Sequence, residues 1–371
     1  MEYCLKNEPS VPSPALLIDM DAAEANLRTM LRIAGDPDRL RPHVKTHKLP
    51  QLVAAQVALG ISKFKCATIA EAEMTAAAGG RDILLAVAPV GPNIGRYLEL
   101  MRRFPKVQWL TIGDDLTAVT ALANAARAVR LVAEVLIDLD IGQHRSGVRT
   151  KSAVIKLYKL LAGLPGVRMG GLHAYDGHVH DPDLRKRTAA CNAAWVLVKE
   201  SLAALKTAGC LLPVRIVAGG TPTFTIHARR RQPGLECSPG TCVLWDAGYA
   251  KKFPDLPFRH AAWLLTRCIS RPVSRGIDLC LDLGHKAVAS EMPHPRVVFP
   301  EMPGAKALMH NEEHLVLRTA LAGSVTPGRA FYGIPWHVCP TVALHSECHV
   351  VRDGRAVDVW PVVARARRIT I

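Results

Sequence analysis

The chain has 371 residues, of which 49% are apolar and 21% are charged. This composition is typical of a folded globular protein and excludes a disordered chain, and the length accommodates one large domain and a smaller one. The sequence has no apolar run near the ~20 residues that span a membrane, and its N-terminal stretch MEYCLKNEPS lacks a signal-peptide core.

The formal net charge is +15, and the basic residues are scattered except at 229–231 and in a short C-terminal cluster. Neither run is interleaved with aromatic residues, so we predict attraction for anionic small molecules and no binding to nucleic acid or membrane. The ten cysteines lack paired short spacing. This pattern predicts reduced thiols and a cytoplasmic location.

The first two-thirds of the sequence alternates between strand-like and helix-like segments. Most of the strand candidates are apolar throughout, as expected for strands that are covered on both faces. Eight such strands in series predict an α/β fold, a (β/α)8 TIM barrel. A doubly wound sheet is the alternative, but no glycine-rich dinucleotide fingerprint follows an early strand. The candidates are 40–45, 63–67, 82–88, 107–112, 131–138, 167–174, 214–218 and 241–246.

From about residue 260 the alternation gives way to short strand-like runs separated by turns, which predict a separate all-β domain. An early strand-like run at 14–19 is expected to pair with it. The domain boundaries that follow are a barrel at 20–258 and a β domain at 259–371 that includes the run at 14–19. The later strand candidates are 263–271, 277–283, 296–299, 314–318, 341–351 and 356–360.

The segment RPHVKTHK at 41–48 places Lys45 at the end of the first predicted strand, before a helix that begins at Pro50. A lysine at that end of a barrel strand points into the mouth, where barrel enzymes carry out their chemistry. It can form a Schiff base with a carbonyl substrate or with pyridoxal phosphate. The alternative is a solvated lysine in a basic loop.

Other polar residues follow later strands. Arg145 follows strand five and is a candidate to lie beneath a cofactor ring, or else belongs to a surface loop. His178 follows strand six and is a candidate general base, because its unperturbed pKa is near neutrality; a structural histidine is the alternative. The segment 219–221 (GGT) follows strand seven, and 238–241 (SPGT) precedes strand eight. Either segment suits a phosphate or a tight turn.

His337 and Cys339 lie two residues apart in the predicted β domain, in a segment read as extended. Both are common ligands of zinc-type metals, and two ligands would leave coordination positions open for water or substrate. His345 and His349 form a second set with Glu347, which we predict to lie on the solvent face of a strand.

Taken in order, the motifs resemble the D-threonine aldolase and eukaryotic-type D-serine dehydratase group, which has the alanine racemase-like fold type III of pyridoxal-phosphate enzymes. The matching motifs span almost the whole chain. They are PHVKTHK at 42–48, GQHRSGV at 142–148, AYDGH at 174–178, AGGTPTF at 218–224, SPGT at 238–241, DLGHKA at 282–287, NEEH at 311–314 and HVCPT at 337–341.

The resemblance implies that Lys45 forms the Schiff base with pyridoxal 5′-phosphate, that Tyr175 lies near this cofactor, and that Arg145 lies on its pyridine-nitrogen side. It implies that His178 is the acid/base residue at the substrate's β-hydroxyl, and that His337 and Cys339 bind a divalent metal (Mn, Mg or Zn) beside it. It also implies a homodimer. The implied phosphate-binding residues are Gly219, Gly220, Thr221, Gly240 and Thr241.

The implied activity is a lyase that acts on β-hydroxy-D-amino acids. Loss of the hydroxyl proton and cleavage of Cα–Cβ give glycine and an aldehyde, whereas loss of the Cα proton and of water gives a 2-oxo acid and ammonia. Cys339 favours the dehydratase, because a His-x-Asp pair is more typical of aldolases in this family. The segments GGTPTF, SPGTCVLWD and ARARRITI favour the aldolase, which is our prediction.

Two other functions are alternatives within the same fold: an amino-acid racemase, and a carrier of pyridoxal phosphate without turnover. The metal pair argues against the racemase. The β domain with its HVC segment argues against the carrier.

Overall fold

The computed structural model describes residues 4–272 and 277–371. The chain divides into two compact units, which are named here by their main feature. The barrel unit comprises Met30–Lys45, Pro50–Gly240 and Ala366–Ile371. The β-sheet unit comprises the described part of Met1–Thr29, together with Thr46–Leu49 and Thr241–Arg365.

The strands, in chain order, are β1 (Ala15–Asp19), β2 (Lys63–Cys66), β3 (Asp82–Leu85), β4 (Gln108–Gly113), β5 (Ala133–Asp138), β6 (Val167–Ala174), β7 (Ile216–Ala218), β8 (Leu235–Cys237), β9 (Ala262–Ser270), β10 (Asp278–Leu281), β11 (Val297–Val298), β12 (Lys306–His310), β13 (Leu315–Arg318), β14 (Ala330–Pro335), β15 (Glu347–Arg352) and β16 (Arg355–Pro361). The α-helices are α1 (Met20–Ala34), α2 (Pro50–Ala58), α3 (Ile69–Ala77), α4 (Pro92–Arg103), α5 (Leu116–Ala128), α6 (Lys151–Gly163), α7 (Leu184–Thr207), α8 (Phe224–Ala228), α9 (Ala247–Lys252) and α10 (Val338–Leu344). None of the helices in the described ranges has both the length and the apolar character needed to cross a bilayer.

The barrel unit is built on a parallel sheet. Within the described residues its strands run in the order β2-β3-β4-β5-β6-β7-β8. Isolated bridges from the segment at 40–43 connect the two edges: Leu40 pairs with Cys237 of β8, and His43 pairs with Lys65 of β2. The expected β/α barrel is confirmed, and its first strand is reduced to these two bridges.

Pro42 explains why the first strand is so short. Proline has no N–H, so it cannot donate in a strand ladder, but its carbonyl still accepts from the backbone N–H of Lys65 at 2.9 Å. Arg41 N–H donates to the carbonyl of Cys237 at 2.8 Å. After His43 the backbone turns into a short 3-10 helix, Val44–Thr46, in place of the predicted strand end.

The predicted eighth strand at 241–246 is wrong, and β8 lies earlier in the chain. The segment 241–246 is fully buried but forms a 3-10 turn at its start, in which Trp245 N–H donates to the carbonyl of Thr241 at 2.7 Å. Trp245 also has a φ of +51°. An apolar run indicates burial, but it does not distinguish a strand from a buried turn. The segment 238–241 therefore follows the last strand, where a phosphate site is expected in a barrel.

The barrel contains an apolar layer and a layer of buried charge. Leucines and valines from neighbouring strands form the apolar layer, which includes Leu84, Leu110, Leu136 and Val217. The charged layer lies near the first residues of the strands.

Arg41 is the centre of the charged layer. Its side chain is 0% exposed, and it contacts Asp82 at 2.9 Å and Glu236 at 2.6 Å. Arg215 contacts the same two carboxylates, at 3.2 Å and 3.4 Å. Asp82 therefore has two cationic partners, and Glu236 has three because Lys63 also contacts it at 3.2 Å. These pairs offset the cost of removing the carboxylates from water.

The β-sheet unit is mostly antiparallel. Its main path runs β12-β13-β10-β9-β1-β15-β16, and β14 pairs with both β9 and β11. β1 lies between β9 and β15, so the early strand-like run pairs with the C-terminal strands as expected. The sequence analysis did not predict β12 or β14.

The predicted strand at 341–351 is only partly correct. β15 begins at Glu347, and the preceding residues form α10, for which His337 is the N-cap residue with extended backbone angles. Pro340 lies in the first turn of α10, where its missing N–H costs no helical hydrogen bond. The HVC segment is therefore a helix start and not a strand.

We predict that Arg41→Met strongly destabilises the protein, because it leaves two buried carboxylates with one cation fewer. The expected loss in the free energy of unfolding is about 3–5 kcal/mol, measured by urea denaturation. The control is Arg102→Met, since Arg102 pairs with Glu99 on the exposed face of α4. Its expected loss is below about 1 kcal/mol. Equal losses in the two variants would contradict the importance assigned to the buried layer.

Candidate active site

Lys45 lies at the C-terminal side of the barrel sheet, on the turn that follows the first bridged segment. Its side chain is exposed, and its backbone N–H donates to Nδ1 of His43 at 3.2 Å. Because His43 pairs with β2, the turn is anchored to the sheet. An accessible amine at this end of the barrel is suited to react with a carbonyl compound.

Tyr175 follows β6, and two cations lie over its ring. The guanidinium carbon of Arg145 is 5.0 Å from the ring centroid, and Nζ of Lys65 is 5.4 Å from it. Arg145 and Tyr175 are thus brought together. Lys65 was not singled out, although its place in the β2 segment KFKC puts it on the same strand face as Lys63.

Asp138 and His173, at the ends of β5 and β6, form a second polar pair that the sequence analysis did not predict. Oδ1 of Asp138 lies 2.7 Å from Nδ1 of His173, and Ser146 donates to Oδ2 at 2.8 Å. Burial lowers the pKa of His173 despite the carboxylate. For Asp138, burial favours the neutral acid, but the interactions with His173 and Ser146 outweigh it and lower the pKa.

With these pKa shifts, the carboxylate of Asp138 is ionised and accepts a hydrogen bond from the neutral imidazole of His173. Nε2 of His173 is buried and has no hydrogen-bond partner among the residues that the structure describes. It is therefore an open acceptor. Ser146 also ties the loop that carries Arg145 to the end of β5.

The loops after β7 and β8 contain most of the predicted phosphate-binding residues. Oγ1 of Thr221 accepts from the backbone N–H of Gly240 at 3.1 Å, which joins the two loops. The N–H of Gly220 donates to Oγ1 of Thr223 at 3.2 Å, so this amide is already used within its own loop. Thr241, the last predicted residue, begins the 3-10 turn of the β-sheet unit. Small residues with backbone N–H groups and hydroxyls at this position fit a phosphate group.

A buried network, which the sequence analysis missed, supports these loops. Asp176 accepts from Thr223 at 2.9 Å through Oδ1, and its Oδ2 lies 2.8 Å from Nε2 of His227. Gly219 has a φ of +80°, and a Cβ built on it would lie 2.7 Å from the His227 ring. The network therefore requires glycine at 219, and it holds the loops after β6 and β7 together.

Asp176, His227 and Cys191 have donor atoms within 4.8 Å of one another, which is compatible with a metal ion. Burial acts against a charged ring, but hydrogen bonds to Asp176 and Cys191 raise the pKa of His227 to about 9. Nε of Arg230 donates to Nδ1 of His227 at 3.3 Å, so a neutral ring has its proton on Nε2, the atom that faces Asp176. In addition, Nη2 of Arg230 lies 3.5 Å from Sγ of Cys191, which adds a positive charge beside the group. The trio is better explained as a hydrogen-bonded support.

His178 lies in the loop after β6 and is half-buried. A Cβ built on Gly142 would lie 2.6 Å from Nε2 of His178, and Gly142 has a φ of +124°. The histidine thus packs against the loop that carries Arg145. Its Nδ1 is buried and has no hydrogen-bond partner within residues 4–272 and 277–371. A ring nitrogen that is not engaged in a hydrogen bond is a feature that a general base requires.

His337 and Cys339 lie together in the β-sheet unit. Burial favours a neutral His337, but hydrogen bonds with Cys339 and Glu291 outweigh it and raise its pKa to about 9. Nδ1 of His337 contacts the carboxylate of Glu291. Sγ of Cys339 lies 3.2 Å from Oγ1 of Thr46, the residue that follows Lys45 in the sequence. A histidine, a thiol and a carboxylate form a donor set that suits a zinc-type cation.

Asp246 fixes the backbone beside this donor set. Its carboxylate accepts from the N–H of Val338 at 3.0 Å and from the N–H of Tyr249 at 2.8 Å, which caps α9. Burial raises the pKa of Asp246 to about 6, although these two hydrogen bonds act against the shift. Glu291 and Asp246 were both missed by the sequence analysis, because neither lies near the HVC segment in the chain.

The expectation that His345 lies on the solvent face is wrong. His345 follows α10 and is half-buried, and its Nε2 lies 2.7 Å from the carbonyl of Ala287. Leu344 is 39% exposed, since it lies in α10 and not in a strand. His349 is on β15 and half-buried.

Family models match most of the chain. The alanine racemase N-terminal domain matches residues 18–244, and the serine dehydratase domain matches residues 261–351. A D-threonine aldolase from an Arthrobacter species is 32% identical over 363 residues, which cover 96% of this chain and 93% of the relative. The D-threo-3-hydroxyaspartate dehydratase of Delftia sp. HT23 is 34% identical and covers 95% of this chain and 97% of its own.

Solved structures agree. The crystal structure of D-threonine aldolase from Filomicrobium marinum superposes with a TM-score of 0.87 at 30% identity, covering 96% of this chain and 95% of that chain. The structure of the Delftia dehydratase superposes with a TM-score of 0.78 at 26% identity, covering 95% of this chain and 97% of that chain. The chain therefore belongs to the D-threonine aldolase and D-serine dehydratase-like family of alanine racemase-like, fold type III pyridoxal-phosphate enzymes.

Proposed function

We propose that this protein is a pyridoxal-phosphate- and metal-dependent lyase that cleaves β-hydroxy-D-amino acids in the manner of a D-threonine aldolase, giving glycine and an aldehyde. The observation that carries the choice of aldolase is the backbone match, which is closer to the Filomicrobium aldolase than to the Delftia dehydratase. The main alternative is a dehydratase. Cys339 and the 34% identity to the Delftia enzyme favour it.

Pyridoxal phosphate supplies an electron sink for the negative charge that develops at Cα when a bond to that carbon breaks. Lys45 would hold it covalently, and Tyr175 and Arg145 would flank its ring. The loops with Gly219, Gly220, Thr221, Gly240 and Thr241 would hold its phosphate. The joined loops and the accessible lysine amine support this assignment.

His178 would accept the proton of the substrate's β-hydroxyl, which starts cleavage of the Cα–Cβ bond. A divalent metal (Mn, Mg or Zn) on His337 and Cys339 would act as a Lewis acid on the same hydroxyl. Glu291 is a further donor for this cation. In the alternative reaction Lys45 would take the Cα proton and the hydroxyl would leave as water. The donor set serves either reaction.

A cytoplasmic homodimer is part of the proposal. None of the ten cysteines forms a disulfide within the described residues, which suits a reducing compartment. Sedimentation at micromolar concentration measures the oligomeric state directly. The alternatives of a racemase and of a carrier without turnover are tested by the product assay below.

We predict that Lys45→Ala abolishes covalent attachment of the cofactor. Borohydride reduction followed by peptide mapping should place the cofactor on Lys45 in the native protein and on no residue in the variant. The control is Lys151→Ala, at the exposed start of α6. A Lys45→Ala protein that keeps a reducible, covalently bound cofactor would refute the assignment.

We predict that the metal serves catalysis and not folding, because its proposed ligands leave coordination positions open. Treatment with a chelator should abolish turnover and leave the circular dichroism spectrum and the bound cofactor in place. His337→Ala and Cys339→Ser should lose metal in elemental analysis, whereas the control His349→Ala should retain it. Unfolding on chelation, or unchanged turnover, is the contrary result.

We predict that His178→Asn lowers turnover by ~10²–10⁴, the usual contribution of a general base, while cofactor affinity stays the same. The control is His180→Asn, since His180 is exposed two residues later in the same loop. The product of D-threonine identifies the bond that breaks. Glycine with acetaldehyde supports the aldolase, 2-oxobutanoate with ammonia replaces it by the dehydratase, and L-allothreonine or no product replaces it by the racemase or the carrier.

A further inference from the structure

Lys65 is a buried cation that the proposed reaction does not yet use. It lies on β2, its residue is 3% exposed, and its Nζ faces the ring of Tyr175 at 5.4 Å. No carboxylate within residues 4–272 and 277–371 forms an ion pair with it. A lysine is seldom buried unless it is paired, because removing an ammonium group from water is costly.

The carboxylates that influence Lys65 most, Asp138 and Asp176, are already engaged. Asp138 accepts from His173 and Ser146, and Asp176 interacts with His227 and Thr223. Among the described contacts, neither carboxylate forms a hydrogen bond with Lys65.

Two further cations, Lys45 and Arg145, act on Lys65. Burial and the neighbouring Lys45 lower the pKa of Lys65 to about 7, Arg145 acts in the same direction, and the two carboxylates oppose the shift. Lys65 and Arg145 also share the ring of Tyr175. With Lys65 itself, these groups are three cations and two carboxylates, so an anionic ligand would balance the remaining positive charge.

We propose that Lys65 binds the carboxylate of the amino-acid substrate. This inference rests on the proposed function, since every β-hydroxy-D-amino acid has such a carboxylate. The cofactor's phosphate has its own candidate site on the loops after β7 and β8, so the carboxylate is the anion that still lacks a cation. Lys65 would then be a specificity residue: it favours amino acids over amines that have the same β-hydroxyl group.

The test compares Lys65→Met with Lys63→Met in the cofactor-loaded protein. Lys63 lies two residues earlier on β2 and pairs with Glu236 at 3.2 Å, so it is a matched lysine on the same strand. Loss of a charged hydrogen bond should raise KM for D-threonine about 10- to 100-fold in Lys65→Met, with a much smaller change in kcat. Lys65→Arg should recover part of the loss, and Lys63→Met should leave KM unchanged.

A binding measurement separates this proposal from the proposed activity. Calorimetry with 3-hydroxybutanoate, which has the carboxylate and the hydroxyl but no amine, should show 10- to 100-fold weaker binding to Lys65→Met, again as an order of magnitude. It needs no turnover, so a protein without lyase activity still gives a result. Unchanged binding of 3-hydroxybutanoate overturns the proposal. A loss confined to cofactor affinity also overturns it, because Lys65 would then serve the cofactor.

The unfolding temperature of the variant tests whether Lys65 instead supports the fold. An unpaired buried ammonium destabilises the ligand-free fold, so Lys65→Met should unfold at the same temperature as the native protein or at a higher one. Lys65→Gln provides a second variant of similar length. A large fall in the unfolding temperature of both variants would show that Lys65 supports the fold, and would overturn the proposal.

Discussion

The barrel unit depends on a few backbone hydrogen bonds at residues 40–43. This segment is too short and too interrupted by proline to form a full strand, yet it pairs with β8 on one side and with β2 on the other. Closure of the sheet places Lys45 at the mouth, because the lysine follows the bridged residues directly. It also removes the two edges that an open parallel sheet would expose. The same short segment thus closes the barrel and positions the reactive amine.

Charge is distributed differently at the two ends of the barrel unit. Near the first residues of the strands, Arg41 and Arg215 are paired with the carboxylates of Asp82 and Glu236. At the opposite ends of the strands, the carboxylate of Asp138 is matched by a histidine while Lys65 has no ion pair in the described chain. Paired charges stabilise the fold, whereas a cation without an ion-pair partner is available to bind a ligand. The N-terminal ends of the strands therefore contribute to stability, and their C-terminal ends carry the groups available for chemistry.

The sequence predicted the architecture well, because alternation of apolar strands and helices is a long-range pattern that many residues repeat. The prediction failed where a local hydrogen bond determines the backbone conformation. The run at 241–246 is as apolar as a strand, and it is the hydrogen bond from Trp245 to Thr241 and the positive φ of Trp245 that show a turn. The sequence also missed the partners of the candidate site. Glu291 and His337 are separated by 46 residues and Asp176 and His227 by 51, and no pattern in the chain indicates such pairs.

Two glycines have a consequence for how this site can change by mutation. Gly142 and Gly219 each leave the space that a histidine ring occupies, His178 in one case and His227 in the other. Any single substitution at either position must displace the ring or distort a backbone that already has a positive φ. A substitution of the loop glycine therefore cannot come before a change of the histidine that it packs against. Loop and ring therefore have to change together, and even a relative that replaces either histidine keeps the positive φ that favours glycine here.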